Sequence, residues 1–417
     1  MNFILFDASR NSLLPLTYTR PVCDIRIGIL TIREKWEKYL GEKTSTITEN
    51  YLSAKVFRRE ISSNMTGAFL LLHHRGDRYV REFGIPEKDS QLLTKYRKVS
   101  EYFDEAIKEL KIGQALVSGN NVVAMYKTKE QFLSEEDSTQ EIEVEEDFIK
   151  ITYPWDIFVL NDRALKEDFK LITKGRKSAE LSDTNRVVGK ENIFVEEGAV
   201  VEFAILNAKE GPIYIGKDAE VMEGSVVRGP FAMCEHSVLK MSSKIYGATT
   251  LGPYVKVGGE VSNVVIFGYS NKAHDGFIGN SVIGEWCNLG ADTNASNLKN
   301  TYEEVRVWSI EKNTFVPTGQ VFFGTIMADH SKCGINTMFN TGTVIGVSSN
   351  IYGHGYQRNY IPSFAWGGTT GLKTYDIDKA IEVAEKMYQR RHITMSEEDK
   401  SILRNVYTQT LKNKKLR

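Results

Sequence analysis

Residues 277–295 read F-I-G-N-S-V-I-G-E-W-C-N-L-G-A-D-T-N-A, and an apolar or small residue returns at every sixth position: Phe277, Ile283, Leu289 and Ala295. A period of six matches neither the 3.6 of an α-helix nor the 2 of a β-strand. It is typical of a solenoid in which each flat face carries one short strand. Because three hexapeptides make one triangular coil, the segment predicts a left-handed parallel β-helix of hexapeptide repeats.

The six-residue period extends well beyond this segment. It continues at Phe323, Asp329, Ile335, Thr341 and Val347, and we expect the β-helix to occupy residues 186–371. Two stretches interrupt the pattern, residues 260–273 and 299–320. Insertions in a solenoid leave as loops on one side, where binding sites are commonly built, so both stretches are expected to be loops.

Composition excludes several classes of protein. The 417 residues carry 53 Lys+Arg against 54 Asp+Glu, a formal net charge of -1, so neither nucleic acid nor an anionic membrane is an expected partner. The N-terminus has no basic flank or long apolar core of a signal peptide, and no stretch is long and apolar enough to span a bilayer. These features predict a cytoplasmic protein. The cysteines show no C-x-x-C spacing and are expected to be buried thiols: Cys23, Cys234, Cys287 and Cys333.

The first part of the chain mixes short apolar runs with helical spacing, which predicts an α/β domain over residues 1–185. Strands are expected at residues 3–6, 68–72, 115–117, 122–126 and 149–152, and helices at 29–40 and 96–110. Residues 135–147 are rich in Glu and Asp, and this charge run favours a solvated connection over an acidic ligand site.

Residues 372–417 lack the six-residue period and have helical spacing. A helix is expected over residues 376–391, and Ser396 to Asp399 has the form of a capping box that opens a second helix. We expect these helices to cap the last coil, whose edge would otherwise be unpaired. A partner-binding helix is the alternative.

One part of the β-helix resembles a known enzyme family. His274, the block Asn288-Leu289-Gly290-Ala291 and Asn297 occur in the order found in the acetyltransferase half of the bifunctional bacterial N-acetylglucosamine-1-phosphate uridylyltransferase family. The resemblance implies transfer of acetyl from acetyl-CoA to an amino sugar phosphate. It also implies a homotrimer with active sites between subunits.

The resemblance assigns roles to individual residues. His274 would be the general base, Asn288 and Asn297 would bind the sugar, and the Ala291 backbone would hold the thioester carbonyl. An amine is protonated at neutral pH and cannot attack a thioester until a base removes a proton, and histidine suits that task. The alternative for His274 is a structural hydrogen bond.

Other positions match the family less closely. Phe277 stands where the family has a tyrosine, and it can pack but cannot donate a hydrogen bond. Lys256 and Lys299 lie near basic positions that in the family contact the sugar phosphate. Phe277, Lys256 and Lys299 are therefore candidate substrate-binding residues. Thr325 and Thr343 lie near positions that contact CoA.

The N-terminal domain resembles the Rossmann-like nucleotidyltransferase half of the same family, which opens with L-x-x-G-x-G-T-R, then P-L-T and P-K. Residues 5–22, L-F-D-A-S-R-N-S-L-L-P-L-T-Y-T-R-P-V, keep the P-L-T at 15–17 and Pro21 but lack the loop glycines, and Val22 replaces the lysine. Arg10 and Arg20, with Arg26, are candidates to replace the lost positive charge at a nucleoside triphosphate. Ordinary ion pairing is the alternative.

The nucleotidyltransferase family also needs a carboxylate for Mg²⁺. Gly76-Asp77 is the nearest match, and at Gly119-Asn120 the acid is replaced by an amide, a poorer ligand for a hard dication. Asp77 is therefore the candidate metal ligand, with Mg²⁺ as the cofactor of an active domain.

The resemblance as a whole implies a transferase of sugar-nucleotide and cell-envelope biosynthesis that acylates an amino sugar phosphate. Two alternatives remain open. The N-terminal domain could be the catalytic part, a sugar-1-phosphate nucleotidyltransferase with the β-helix as a trimerisation or sensing module. Alternatively, both domains bind sugar nucleotides without catalysis.

Overall fold

The computed structural model describes residues 2–7, 10–53, 55, 68–73, 107, 109–119, 121–128, 131, 139–144 and 148–411. The chain divides into two compact units. The first comprises Met1–Leu13, Arg20–Ile25 and Thr31–Thr152, and the second comprises Leu14–Thr19, Arg26–Leu30 and Tyr153–Arg417. The three-domain division expected from the sequence stays a prediction.

The first unit is built on a mixed sheet with strand order β2-β1-β3-β5-β4-β6. The strands are β1 (Asn2–Phe6), β2 (Thr44–Ile47), β3 (Ala68–His73), β4 (Gln114–Ser118), β5 (Asn121–Thr128) and β6 (Gln140–Glu143). Strands β1, β2 and β3 are mutually parallel, whereas β5 is antiparallel to both β3 and β4. Four of the five predicted strands are thereby confirmed.

The helices of the first unit are shorter than expected. Helix α1 (Ile32–Leu40) begins after Thr31, which forms a capping box with Glu34, and ends at Gly41 in the left-handed region. The predicted start at residue 29 was wrong, because Ile29 and Leu30 donate their backbone N–H groups to Asp168 instead. A short helix α2 (Asn50–Ser53) follows. The helix predicted at 96–110 lies largely outside the described residues.

Two other predictions for this unit need correction. Residues 149–152 do not form a strand, and the carbonyl of Thr152 accepts a hydrogen bond from the Ser12 hydroxyl rather than from a neighbouring strand. Part of the acidic segment is not a loop but strand β6, parallel to β4. The acidic residues there concealed the pattern of a strand with exposed and buried positions. Val144, directly after this strand, is buried in the same core as Leu116.

The second unit contains the predicted parallel β-helix. Its first face holds β7 (Arg186–Val188), β10 (Ile205–Asn207), β13 (Val226–Arg228), β16 (Lys244–Tyr246), the first halves of β19 (Glu260–Ile266) and β21 (Phe277–Ile283), β23 (Asn294–Ala295) and β28 (Met338–Phe339). The second holds β8 (Ile193–Val195), β11 (Ile213–Ile215), β14 (Phe231–Met233), β17 (Thr249–Leu251), the second halves of β19 and β21, β26 (Thr325–Met327), β29 (Thr343–Ile345) and β31 (Tyr360–Ile361). The third holds β9 (Val200–Val201), β12 (Glu220–Val221), β15 (Val238–Leu239), β18 (Lys256–Val257), β20 (Asn271–Lys272), β22 (Asn288–Leu289), β27 (Lys332–Cys333), β30 (Asn350–Ile351), β32 (Ala365–Gly368) and the antiparallel β33 (Gly371–Thr374). We call these face 1, face 2 and face 3.

Hydrophobic burial explains why the hexapeptide pattern gives this fold. Each short strand turns one aliphatic or small residue inward, and these residues form one continuous core along the coils. On face 3 the inward positions include Val257, Leu289 and Ile351, all fully buried or nearly so. Burial of a side chain of this size contributes about 1.5–3 kcal/mol. Lys272 occupies the equivalent inward position on its coil, an exception considered below.

The two interruptions of the repeat have different outcomes. Residues 260–273 do not leave the solenoid as a loop, because β19 pairs in register with β16, β17 and β21. The corner between faces 1 and 2 is reduced there to Asn263, which adopts φ 57°, and asparagine tolerates this left-handed region better than most residues. Asn280 forms an equivalent corner in the segment with the clearest period, so the blur arises just before β19, where the inward residues Val257 and Val261 lie only four positions apart. Residues 299–320 do leave the coil and contain the hairpin β24 (Arg306–Ser309) and β25 (Thr314–Pro317).

Four helices accompany the solenoid: α3 (Asp156–Val159), α4 (Asn161–Thr173), α5 (Ile377–Gln389) and α6 (Glu397–Leu411). The C-terminal helices do more than cover the last coil. In α5, Tyr388 stacks on Trp286 with ring centroids 3.9 Å apart, and beyond it Arg391 donates to the carbonyl of Tyr254. Helix α5 therefore follows the corner between faces 2 and 3 past several coils.

That corner carries a ladder of stacked rings. Its members all have positive φ: His236, Tyr254, Tyr269, Trp286 and His330. His330 is therefore a corner residue of the solenoid. The four cysteines, all in the described part of the chain, are buried free thiols, which confirms that prediction.

Candidate functional site

The corner that leads from face 3 to face 1 brings three of the predicted site residues close together. Asn271 and Asn288 are partners on adjacent coils, and the N–H of Asp292 donates to the carbonyl of Asp275 at 3.0 Å. His274 and Ala291 therefore occupy equivalent positions on neighbouring coils. Both His274 and Asn288 are exposed to solvent.

Asn297 and Phe277 meet at the opposite border of face 1. The Asn297 side chain donates to Oδ1 of Asn280 at 2.9 Å. A Cβ at Gly279 would lie 2.6 Å from Nδ2 of Asn297 and 2.8 Å from Cζ of Phe277. Glycine is required here because it lets the ring and the amide lie against the strand.

A cavity of about 400 Å³ opens on face 1 beside these residues. Its lining is Phe277, Asp292, Asn294, Ala295, Ser296, Asn336, Met338, Phe339 and Tyr356. The aromatic and methionine side chains form an apolar wall, and Asp292 lies on the corner next to that of His274. Such a cavity suits a ligand with an apolar part and a polar or cationic end.

Lys272 supports the His274 corner from inside the solenoid. Its side chain is 2% exposed, and Nζ donates to the carbonyls of His274 at 2.7 Å and of Gly258 at 2.8 Å. Burial lowers the pKa of Lys272 to about 8, although Asp275 and Asp292 oppose the shift. The sequence analysis missed this residue. The signal was a lysine at a hexapeptide position where neighbouring coils have an aliphatic residue.

The remaining β-helix candidates do not join this cluster. Lys256 lies on face 3 opposite Asn271, and Lys299 donates to the carbonyl of Glu304 within the insertion. Thr325 and Thr343 are buried, and their hydroxyls donate to backbone carbonyls at 3.2 Å and 2.7 Å. The Thr325 hydroxyl thus joins two coils, and the Thr343 hydroxyl closes a turn within its own coil.

In the first unit, Arg10 lies in a buried ionic cluster. Its Nε is 3.8 Å from Oδ2 of Asp7 and its Nη2 donates to the Tyr51 hydroxyl at 2.8 Å. Asp7 also accepts hydrogen bonds from the N–H of Val22 and the hydroxyl of Thr48. Burial raises the pKa of Asp7, while these hydrogen bonds and Arg10 oppose that effect. Arg20 is buried as well, 8% exposed.

Two short segments that follow, Leu14–Thr19 and Arg26–Leu30, belong to the second unit. The P-L-T motif at 15–17 belongs there, and next to it the Thr19 hydroxyl donates to Asp329 at 2.6 Å. Arg26 contacts Cys234 and the carbonyl of Ile29. These contacts point to packing rather than to a nucleotide for this stretch.

Neither a cluster of metal-ligating side chains nor a membrane-spanning helix occurs among the described residues. Asp77 lies outside them, and the part of the chain that is described contains no group of three or more His, Cys, Asp or Glu side chains able to hold a metal ion. No helix within that part combines the length and apolarity needed to cross a bilayer.

The first part of the chain is similar to known sugar nucleotidyl transferases. Residues 3–177 match the family model described as sugar nucleotidyl transferase. A bifunctional sugar-1-phosphate nucleotidylyltransferase/acetyltransferase of Sulfurisphaera tokodaii is 30% identical over 145 residues, which cover 34% of this chain and 36% of that protein. The bifunctional protein GlmU of Methanococcus maripaludis is 27% identical over 201 residues, 48% of this chain and 42% of that protein. The matches thus span about two fifths of each of these relatives.

Solved acyltransferases are similar to the chain only distantly. A variant of AntD, an N-acyltransferase from Bacillus cereus solved with dTDP and coenzyme A, is 18% identical with a TM-score of 0.20, covering 37% of this chain and 87% of that one. The Arabidopsis UDP-N-acetylglucosamine acyltransferase is 16% identical with a TM-score of 0.20, covering 52% and 79%. At these scores the likeness carries no argument.

Proposed function

We propose that the chain is a transferase of sugar-nucleotide metabolism whose β-helix acylates the amino group of a sugar phosphate with acetyl-CoA. The observation that carries the proposal is the pairing of coils that brings His274 and Ala291 to adjacent corners, next to Asp292 in the lining of a cavity of about 400 Å³. The relatives named as bifunctional nucleotidylyltransferase/acetyltransferases support it.

In the proposed reaction, the exposed His274 accepts a proton from the ammonium group of the acceptor. The amine then attacks the thioester carbonyl, an amide bond forms, and CoA leaves as its thiol. Asn288 and Asn297 would bind the sugar and the Ala291 backbone would contact the thioester. Lys272 holds the backbone carbonyl of His274, which fixes the corner from which the imidazole projects.

For the N-terminal unit we propose binding of a sugar phosphate or nucleoside triphosphate, supported by the family match over residues 3–177. Arg10 and Arg20 are the candidates for this role, and Arg10 is also paired with Asp7 and Glu49. The described residues do not include a fitting Mg²⁺ site, and no step is assigned to a metal ion.

Assembly as a homotrimer, a cytoplasmic location and a role in envelope biosynthesis belong to the same proposal.

The test is release of free thiol from acetyl-CoA across a panel of amino sugar phosphates. Turnover by the wild type that disappears in His274→Ala supports acyl transfer and identifies the acceptor. Absence of turnover with every acceptor, by a folded protein, would contradict it. Light scattering on the same sample checks the trimer, which a monomeric mass would contradict.

A second candidate is nucleotidyl transfer by the N-terminal unit, favoured by the match of that unit to the sugar nucleotidyl transferase family. Release of pyrophosphate from a nucleoside triphosphate in the presence of a sugar 1-phosphate would establish it. Ligand-induced shifts in melting temperature without either turnover would instead favour the non-catalytic alternative.

A further inference from the structure

The outward side of face 1 changes in character along the solenoid. On the earlier coils, the column of outward-pointing partners includes Lys244 and Glu260, which form an ion pair. The column then continues through four side chains without a formal charge: Phe277, Asn294, Met338 and Tyr356. All four line the cavity of about 400 Å³. The cavity therefore lies on an uncharged part of face 1.

The polar side chains on the floor of this cavity are engaged within the protein. Oδ1 of Asn294 accepts a hydrogen bond from the N–H of Phe277 at 2.8 Å, and its Nδ2 donates to the carbonyl of Asp292 at 2.9 Å. The Ser296 hydroxyl lies 2.9 Å from the hydroxyl of Thr341. A ligand on the floor therefore meets mainly aromatic and methionine side chains.

Other polar groups lie along one border of the cavity. Asp292 and Asn336 occupy the corner between faces 3 and 1, where the N–H of Asn336 donates to the carbonyl of Ala291 at 2.8 Å. Asp292 is exposed, and no cation of the described residues forms an ion pair with its carboxylate. His274 lies on the neighbouring corner. The ammonium group of a ligand would therefore meet a carboxylate at this border.

An anionic border and an apolar floor fit the acceptor of the proposed reaction better than the acyl donor. The acceptor carries an ammonium group until His274 removes its proton, whereas an acyl-CoA has a neutral thioester and anionic phosphates. A sugar hydroxyl that lost its water against Phe277 and Met338 would have no hydrogen-bond partner there, which is costly. A methyl group at the same place is stabilised by burial.

We propose that the acceptor is a 6-deoxy amino sugar phosphate, whose methyl group lies against Phe277 and Met338 and whose amino group lies at Asp292. This inference rests on the proposed acyl transfer and names the class of its acceptor. In such a sugar a methyl group replaces the hydroxymethyl group of an ordinary hexose. Asp292 precedes Asn294, which lies between Phe277 and Met338 in the column, by two residues. Two residues of extended chain span about 7 Å, a distance that a hexose with its substituents bridges.

The test compares two acceptors on the full-length protein, an amino hexose phosphate and its 6-deoxy counterpart. Calorimetric titration without acetyl-CoA measures binding, and thiol release from acetyl-CoA measures kcat/KM. Met338→Gln is the informative variant, because it keeps the length of the side chain and makes the cavity floor polar. Met338→Leu keeps the floor apolar. Met241→Gln is the matched control, since Met241 is an exposed methionine on an earlier corner between faces 3 and 1, outside the cavity lining.

We expect the wild type to bind the 6-deoxy acceptor about 10-fold to 100-fold more tightly than the hexose, with a matching ratio of kcat/KM. Met338→Gln should remove most of this preference, whereas Met338→Leu and Met241→Gln should keep it. Equal binding of both acceptors, a preference that Met338→Gln leaves unchanged, or no binding of either acceptor overturns the inference.

Failure of this inference and failure of acyl transfer give different results. Preferential binding of the 6-deoxy sugar without thiol release supports the ligand class and contradicts acyl transfer, whereas equal turnover of both acceptors does the reverse. Butyryl-CoA in place of acetyl-CoA tests the other source of an aliphatic group. A gain in kcat/KM with butyryl-CoA that Met338→Gln abolishes would place the acyl chain in the cavity and overturn the inference.

Discussion

The β-helix and the N-terminal unit place their predicted functional residues in opposite ways. In the β-helix, His274 and Ala291, far apart in sequence, become neighbours because pairing repeats on each coil. In the N-terminal unit, the single stretch that carries Arg10, the P-L-T motif and Arg26 is divided between the two units.

The difference shows what a sequence motif specifies in each case. In a solenoid the repeat fixes which side chains point outward and which coil they share, so spacing alone predicts proximity. In a mixed sheet the position of a loop residue depends on contacts distant in sequence, such as that between Asp7 and Thr48. A family motif therefore transfers more securely to the solenoid than to the loop after β1.

The largest expected effect concerns His274. Replacing a general base typically costs 100-fold to 10,000-fold in rate, and we expect His274→Ala to lower thiol release from acetyl-CoA within that range. His236→Ala is the matched control, because His236 stacks on Tyr254 at a different corner of the same solenoid. An equal loss in both variants would show that spacing on the coils does not identify the site.

The next prediction concerns Arg10 and stability. Removing one partner of a buried ion pair costs about 3–5 kcal/mol, so Arg10→Met should lower the free energy of unfolding of the first unit by about that much. Denaturant unfolding followed by circular dichroism would measure it. Lys43→Met, which removes the exposed pair with Glu37, should change stability by about 1 kcal/mol or less. If Arg10→Met is as stable as the wild type but no longer binds nucleotide, Arg10 has the nucleotide-binding role that the resemblance implies.

A smaller effect is expected from the pH dependence of Lys272. Its pKa is about 8 in the folded protein and about 10.4 when unfolded, so between these values the unfolded chain binds more protons. Stability of the wild type should therefore rise with pH relative to Lys272→Met, by about 2 kcal/mol between pH 8 and pH 10. Urea unfolding of both proteins across this range measures the difference.

The control for that measurement is Lys332→Met. Lys332 donates to the carbonyl of His330 in the same manner, and burial lowers its pKa to about 8 as well. It should give the same pH dependence of stability but leave acyl transfer unchanged. If the difference in unfolding free energy between the wild type and Lys272→Met does not change with pH, the pKa of Lys272 is not lowered in the folded protein.

The smallest effect is expected at Phe277. Cζ of Phe277 and the side-chain amide of Asn297 both lie close to Gly279. A hydroxyl added at Cζ would therefore lie near that amide. Phe277→Tyr should change KM for the acceptor by about threefold to tenfold, the value of one hydrogen bond, with kcat and melting temperature unchanged. Steady-state kinetics test this, with Met338→Leu on the same cavity as the control. No change in KM would place the acceptor away from Phe277.

Much of the fold could be predicted from the sequence, and the exceptions have physical causes. The hexapeptide period identified the coils because one inward side chain per face is a strict requirement of the fold. It missed β19, because the inward residues Val257 and Val261 lie only four positions apart before it, and the acidic run concealed β6. Of the site, the proximity of His274 and Ala291 followed from spacing. The contacts of Arg391 with Tyr254 and Asn271 did not, because they depend on the packing of α5 against Trp286, far away in sequence.

The insertion at residues 299–320 illustrates how freely this architecture can vary. Asn294 on one coil is directly paired with Met338 on the next, as though the inserted residues were missing, and the hairpin β24–β25 pairs with itself in register. The hairpin also packs on a later coil, where Trp308 stacks on Tyr360 with ring centroids 5.0 Å apart, so a segment of different length would keep the ladder and change only this outer packing. Chain length at this corner is therefore open to change during evolution or engineering, and new recognition elements can be acquired beside an unchanged site.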